Sequence, residues 1–326
     1  MHKNTLLRHV PTANTFHFCI FCVVLMVKPL VAFSEDDYYR RGTVEVEKGN
    51  FDAALSDYDK SIKFNPNYAP AFYNRGIAKK AKGDRDGAMN DFNKAIELAP
   101  NFGEAYCNRG NLMFEKGDLD SALADYNKAL EVAPDVCNAY LARAVVKKSR
   151  GDEAGALADY NKATQCDPRF LEAYFNRALV EKATGDLDGA LTDYNKSVEL
   201  SPNLDGAYNG RGNVKQAKGD FEGAMADFNK AIELNARNGD YYFNRGNAKA
   251  DKGDLNGALA DFEKAVELNP NDLEAVKSRG DVKRRMNNNP RGMSGGQRLV
   301  WPSAILMICI AIAAIIARLM KRRSAK

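Results

Sequence analysis

Residues 103–136 read GEAYCNRGNLMFEKGDLDSALADYNKALEVAPDV, and the fold turns on this stretch. Tyr106, Gly110 and Met113 fall on one side of a first helix. Leu119, Ala122, Leu123, Tyr126, Ala129 and Leu130 then recur at three- and four-residue spacing, the apolar face of a second helix. Gly117-Asp118 divides the two. Glycine takes the left-handed conformation that ends a helix, and an aspartate caps the next one. Pro134 stops the second helix because proline has no N–H to donate. Small residues at Gly110 and Ala122 let the two helices approach closely.

The unit recurs without insertion. Arg-Gly or Arg-Ala opens at Arg41, Arg75, Arg109, Arg143, Arg177, Arg211, Arg245 and Arg279, always 34 residues apart. Ala54, Ala88, Ala122, Ala156, Ala190, Ala224 and Ala258 keep the same step, as do Tyr58, Phe92, Tyr126, Tyr160, Tyr194, Phe228 and Phe262. A proline series (Pro66, Pro100, Pro134, Pro168, Pro202, Pro270) lapses once, at Ala236. Such self-similarity marks a repeat architecture in which each unit buries its apolar face on its neighbours.

These residues resemble the tetratricopeptide-repeat (TPR) family. The resemblance implies an all-α, right-handed superhelical solenoid of about seven helical hairpins. The units run 35–68, 69–102, 103–136, 137–170, 171–204, 205–238 and 239–272, with a capping helix over 273–286. Two departures stand out. The family's first-helix Trp is Tyr38, Phe72, Tyr106, Tyr140, Tyr174, Tyr208 or Tyr242 here. Its aromatic three residues after the Gly is mostly charged: Glu45, Lys79, Lys147, Glu181, Lys215 and Lys249. Their aliphatic stems are expected to cover the missing packing. The arginine series is expected to be structural, joining successive hairpins by hydrogen bonds or ion pairs.

The formal net charge of +4 belongs to the chain's ends. Residues 1–34 carry three Lys/Arg and no acid, and residues 287–326 carry seven and no acid. Residues 35–286 hold 37 basic against 43 acidic residues. An acidic domain with interleaved charges lacks the clustered Lys and Arg that release counterions from nucleic acid, so no nucleic-acid partner is expected. All three histidines, His2, His9 and His17, lie in the first 17 residues. No nucleophile–base pair, phosphate loop or metal cluster is visible, so we expect no enzyme, no cofactor, no metal and no small-molecule substrate.

Residues 1–34 read as a signal peptide: Lys3 and Arg8, an apolar run from Phe16 to Val27, then Ala32-Phe33-Ser34. The run is short for an uncleaved anchor, the competing reading. Residues 287–298 form a polar linker with an end-to-end distance of about 20 Å. Leu299–Ala317 is uncharged and, at about 1.5 Å per residue, long enough to cross a bilayer. Basic residues in the tail, 318–326, outnumber those just before the span. The expected topology is single-pass, with the C-terminus cytoplasmic and the repeats exported. An N-terminal run that failed as a signal would instead leave a tail-anchored, cytosol-facing receptor or co-chaperone-like protein.

Function is expected to be protein–protein scaffolding at a membrane surface. The resemblance implies a concave groove lined by the first helices, which binds peptides or partner helices of other proteins. Carried onto this chain, its lining includes Tyr39, Tyr73, Phe175 and Phe243, the amides Asn74, Asn108, Asn176 and Asn244, and Asn111, Asn213 and Asn247 one turn on. The competing reading is that several of these pack between hairpins. Some family members hold a C-terminal carboxylate with a clamp of lysines, asparagines and arginine. Here position two is Asp36, Pro70, Glu104, Asn138 or Glu172, and no clamp is expected. Of six cysteines, Cys19 and Cys22 lie in the signal run and Cys309 in the membrane segment. Cys166 takes a Leu or Val position and is expected in the core, while Cys107 and Cys137 are the candidates for a disulfide.

Overall fold

The computed structural model describes residues 34–288. Fifteen α-helices occupy these residues. The first helices of the hairpins are α1 (Glu35–Glu47), α3 (Ala69–Ala81), α5 (Gly103–Glu115), α7 (Cys137–Ser149), α9 (Leu171–Thr184), α11 (Asp205–Ala217) and α13 (Gly239–Asp251). The second helices are α2 (Phe51–Phe64), α4 (Arg85–Leu98), α6 (Leu119–Val132), α8 (Glu153–Cys166), α10 (Leu187–Leu200), α12 (Phe221–Leu234) and α14 (Leu255–Leu268). A last helix, α15 (Leu273–Asn288), runs two residues past the expected cap. The signal run, the polar linker past residue 288, the span 299–317 and the tail lie outside the described residues. Among the described residues, no helix is long and apolar enough to cross a membrane.

The punctuation acts as the sequence suggests. Gly49, Gly83, Gly117, Gly151, Gly185, Gly219 and Gly253 all adopt positive φ between the helices of a hairpin. Asp84, Asp118, Asp152, Asp186, Asp220 and Asp254 each accept a hydrogen bond from the first turn of the following helix. Ser34 and Asp37 form a reciprocal capping box on α1.

The chain divides at Ala173/Tyr174 into two compact units. In the first, Tyr106, Ala122, Tyr126, Ala129, Leu130 and Val136 form a core with Ala139 and Val146 from the next hairpin. In the second, Ala178, Ala190, Tyr194, Ala207 and Val214 do the same for hairpin five and the first helix of hairpin six. The hairpins close tightly because the unit's small residue faces an aromatic ring. A Cβ added at Gly76 would lie 2.7 Å from the Phe92 ring.

One buried aspartate per hairpin is the polar feature of this core: Asp57, Asp91, Asp125, Asp159, Asp193, Asp227 and Asp261. Each accepts a two-pronged bond from the arginine sixteen residues earlier. The Nε and Nη2 distances are 2.6–2.9 Å for Arg75, Arg109, Arg143, Arg177, Arg211 and Arg245. The fork therefore lies within a hairpin, and the expected link between successive hairpins is made by another nitrogen of the same guanidinium. Only Nη1 reaches back, to Asp59, Asn93, Asn127, Asn195 or Asn229 of the preceding hairpin, at 2.7–3.0 Å. The guanidinium also sits 5.1–5.8 Å from the ring three residues before it. The residues at the missing aromatic position do more than cover surface. Lys79, Lys147, Lys215 and Lys249 bring a second cation to the same aspartate, at 2.7–2.8 Å.

The cysteine pairing departs from expectation. Cys137 bonds to Cys166, with Cα atoms 5.6 Å apart, and Cys107 is free and buried. Cys137 opens α7 and Cys166 closes α8, so the antiparallel hairpin brings its two ends together. Cys107 lies inside α5, where burial pushes its thiol up to about 12.

Two stability predictions follow from these groups. Arg143→Ala leaves Asp159 buried with one charge partner fewer and should cost about 3 kcal/mol in urea unfolding. Lys94→Ala, which removes only an exposed pair with Glu97, should cost less than ~0.5 kcal/mol. Reduction of Cys137–Cys166, or Cys137→Ser, should lower stability by about 2–4 kcal/mol by freeing the unfolded chain.

Candidate functional site

The candidate site is the face of the first helices that carries the fifth, sixth and ninth residues of each unit. The helix period places these residues together on one side. The candidate groove residues named above are half-buried rather than fully covered, whereas Cys107, at the fifth position of hairpin three, is buried.

The sixth-position amides are largely committed to neighbouring hairpins. Asn74 Nδ2 donates to the Tyr39 hydroxyl and Asn108 Nδ2 to the Tyr73 hydroxyl, both at 2.9 Å. Asn244 Nδ2 donates to Asn209 Oδ1 at 2.9 Å. Asn108 also donates to the Glu104 carbonyl. Asn176 is likewise engaged. The aromatic rings instead pack within their own units. Tyr39 meets Tyr68 edge-on at 5.3 Å, and Tyr73 meets Phe102 at 4.7 Å. Phe175 lies 5.9 Å from Tyr194, and Phe243 lies 5.7 Å from Phe262. Burial raises the Tyr73 phenol well above its usual range, so it stays neutral and accepts the amide bond. The amides of this subset therefore stitch hairpins together, while its rings pack within them.

The ninth position behaves differently along the chain. In hairpin one, Tyr58 donates to Thr43 Oγ1 at 3.4 Å, and in hairpin three Tyr126 donates to Asn111 Oδ1 at 2.8 Å. In hairpins four and five this position is Val145 or Leu179, and the Tyr160 and Tyr194 hydroxyls are buried without a partner among the described residues. In hairpins six and seven the aromatic is Phe228 or Phe262, which has no hydroxyl. Asn213 and Asn247 are therefore left half-exposed, with no hydrogen bond among the described residues. They stand one repeat apart on α11 and α13, next to Phe243 and the Asn209–Asn244 pair.

Of the expected groove, the structure thus leaves Asn213 and Asn247 without a hydrogen bond among the described residues and commits Asn74, Asn108, Asn111 and Asn244 to internal ones. The signal separating them was in the sequence: a ninth-position Asn is free where its hairpin carries Phe in place of Tyr. Asn108→Ala should cost about 1 kcal/mol of stability in urea unfolding. Asn213→Ala and Asn247→Ala should change it by less than ~0.5 kcal/mol.

Comparison with known proteins bears on the family and the fold. The family profile described as tetratricopeptide repeat matches residues 103–136 and 239–272, and a second, described as TPR repeat, matches 42–83, 78–117, 179–219 and 213–253. Together they span more than half of the chain. No curated protein matches it. Among solved structures, YrrB, a TPR protein with an unusual peptide-binding site, is 25% identical with a TM-score of 0.53. The match covers 58% of this chain and 97% of YrrB. A TPR protein from Parabacteroides merdae is 22% identical with a TM-score of 0.51, over 76% of this chain and 98% of its own. PilF of Pseudomonas aeruginosa is 14% identical with a TM-score of 0.58, over 62% and 92% of the two chains. In all, 526 solved chains match, so the likeness to the more distant ones speaks for the fold alone.

Proposed function

The chain belongs to the tetratricopeptide-repeat family, whose domains bind other proteins or peptides, and from this premise we propose that it is a non-catalytic scaffold that holds partner segments on its first-helix face. The observation that carries this reading is the pair Asn213 and Asn247. Each side-chain amide offers a donor and an acceptor at once, the complement of an extended main chain. Aromatic rings at Tyr39, Tyr73, Phe175 and Phe243 provide apolar anchorage beside them. The peptide-binding site of YrrB, at 25% identity, is consistent with the same use of the fold. The position-two residues do not supply the basic groups of a carboxylate clamp, so an acidic C-terminal peptide is not the ligand class.

We further propose that the scaffold works at a membrane, exported and held by 299–317 with its C-terminus in the cytoplasm. The uncharged span, the basic tail after it and the apolar N-terminal run support this placement. The Cys137–Cys166 bond adds an independent argument, because structural disulfides persist in oxidising compartments.

Two experiments test these proposals. A photo-crosslinking residue at position 213 or 247 should trap a native partner, whereas one at position 128 on the exposed side of α6 should not; equal trapping from both faces would overturn the groove reading. In sealed, right-side-out vesicles of the native membrane, external protease should degrade the repeats and spare the C-terminal tail; protection of the repeats would overturn the proposed topology and favour the cytosol-facing receptor.

A further inference from the structure

Hairpin five breaks the charge pattern of its neighbours. Where Lys79, Lys147, Lys215 and Lys249 each add a cation to a buried aspartate, α9 carries Glu181. The Glu181 side chain is 14% exposed and that of Asp193 only 3%. Arg177 Nε lies 2.6 Å from Asp193 Oδ2 and 3.7 Å from Glu181 Oε1. Two carboxylates therefore converge on one guanidinium, where four other hairpins set two cations on one carboxylate. The Glu181 carboxyl is wedged against α10: a Cβ at Gly189 would lie 3.0 Å from its Cδ. Glu181 Oε2 is buried and has no hydrogen-bond partner among the described residues. Glu45, at the same position of hairpin one, is instead satisfied by Lys48 and Asn50, at 2.8 Å each.

We propose that Glu181 and Asp193 share one proton, which makes hairpin five a pH-responsive joint in the repeat array. The proton rests on Glu181, and its O–H donates to the Asp193 carboxylate. Asp193 keeps both of its bonds from the Arg177 fork. This supplies the missing partner of Oε2 and removes the repulsion between the two carboxylates. Burial is the largest force holding the proton on Glu181, followed by the negative charge of Asp193; Arg177 opposes both, and Asp186 at the cap of α10 adds to them. Lys215, on α11 behind α10, is committed to Asp227 and offers no relief.

The sign of the effect follows from linkage. Glu181 is raised from 4.5 to about 7 in the folded chain. Between those values the folded state binds the proton and the unfolded state does not, so stability falls as pH rises through this window and levels off above it. Asp57 behaves oppositely. The bond from Arg41 lowers it, and its contribution is lost as pH falls.

The test uses the full chain with carbon-13 in its glutamate carboxyls. One glutamate should titrate near pH 7, and that signal should vanish in Glu181→Gln. Hydrogen exchange, corrected for intrinsic rate, should show α10 losing about tenfold or more protection between pH 5.5 and 8.5, while α4 keeps its own. Glu181→Lys, which restores the neighbours' pattern, should abolish that loss. Should this variant fail to fold, Glu181→Gln keeps a donor for Asp193 and should hold α10 at its low-pH protection at both pH values. Titration of Glu181 in the ordinary carboxylate range, or an unchanged pH profile in the variants, would overturn the proposal.

Discussion

A carboxylate buried in a helical hairpin is costly to desolvate, and the rest of the structure is arranged around meeting that cost. An isolated charge of this kind is tolerated only with excellent geometry and full hydrogen bonding. The guanidinium provides both, since its planar fork matches the carboxylate with two parallel N–H bonds. Its flat face then lies over an aromatic ring, and its third nitrogen reaches the preceding hairpin in the units where that bond is described. One side chain thus sets the angle within a hairpin and the register to the next. Any insertion between Arg and Asp would break the sixteen-residue spacing that all seven forks share.

The first-helix face has two duties that compete for the same residues. Where hairpins need to be tied together, asparagine amides are spent on tyrosine hydroxyls and on one another. Where tyrosine gives way to phenylalanine, at Phe228 and Phe262, the packing closes without a hydroxyl and the facing amides are released. A single oxygen atom therefore decides whether a groove residue is structural or available. The ninth-position amides without a hydrogen bond among the described residues are in this sense found in hairpins six and seven.

The hairpins themselves were legible in the sequence, because glycine, aspartate and apolar spacing act locally and recur in every unit. Helix starts at residues 35, 69, 103, 137, 171, 205 and 239 coincide with the unit starts read from the repeat. What escaped was pairwise geometry. The arginine fork was legible as structural but not as intra-hairpin, since the period alone cannot say which of two equidistant helices holds the partner. The disulfide was misassigned for a related reason. Position within the repeat placed Cys166 among core leucines, but it also sits where the second helix ends, beside the start of the first. Glu181 was visible as a departure from the family pattern, yet its meaning depends on burial, which the sequence does not carry. The bonds that Asn74, Asn108 and Asn244 make across hairpins escaped for the same reason.

The Cys137–Cys166 bond has a mechanical consequence for a repeat array placed under tension. Repeats that touch only their neighbours peel apart one at a time under tension. The bridge links residues 29 apart in sequence, and about 100 Å of extended chain between them is withheld from the pulling force. Hairpin four would then act as a rip-stop: load reaching it passes through two sulfur atoms rather than through α7 and α8, and the segment between them cannot be drawn out until the bond is reduced.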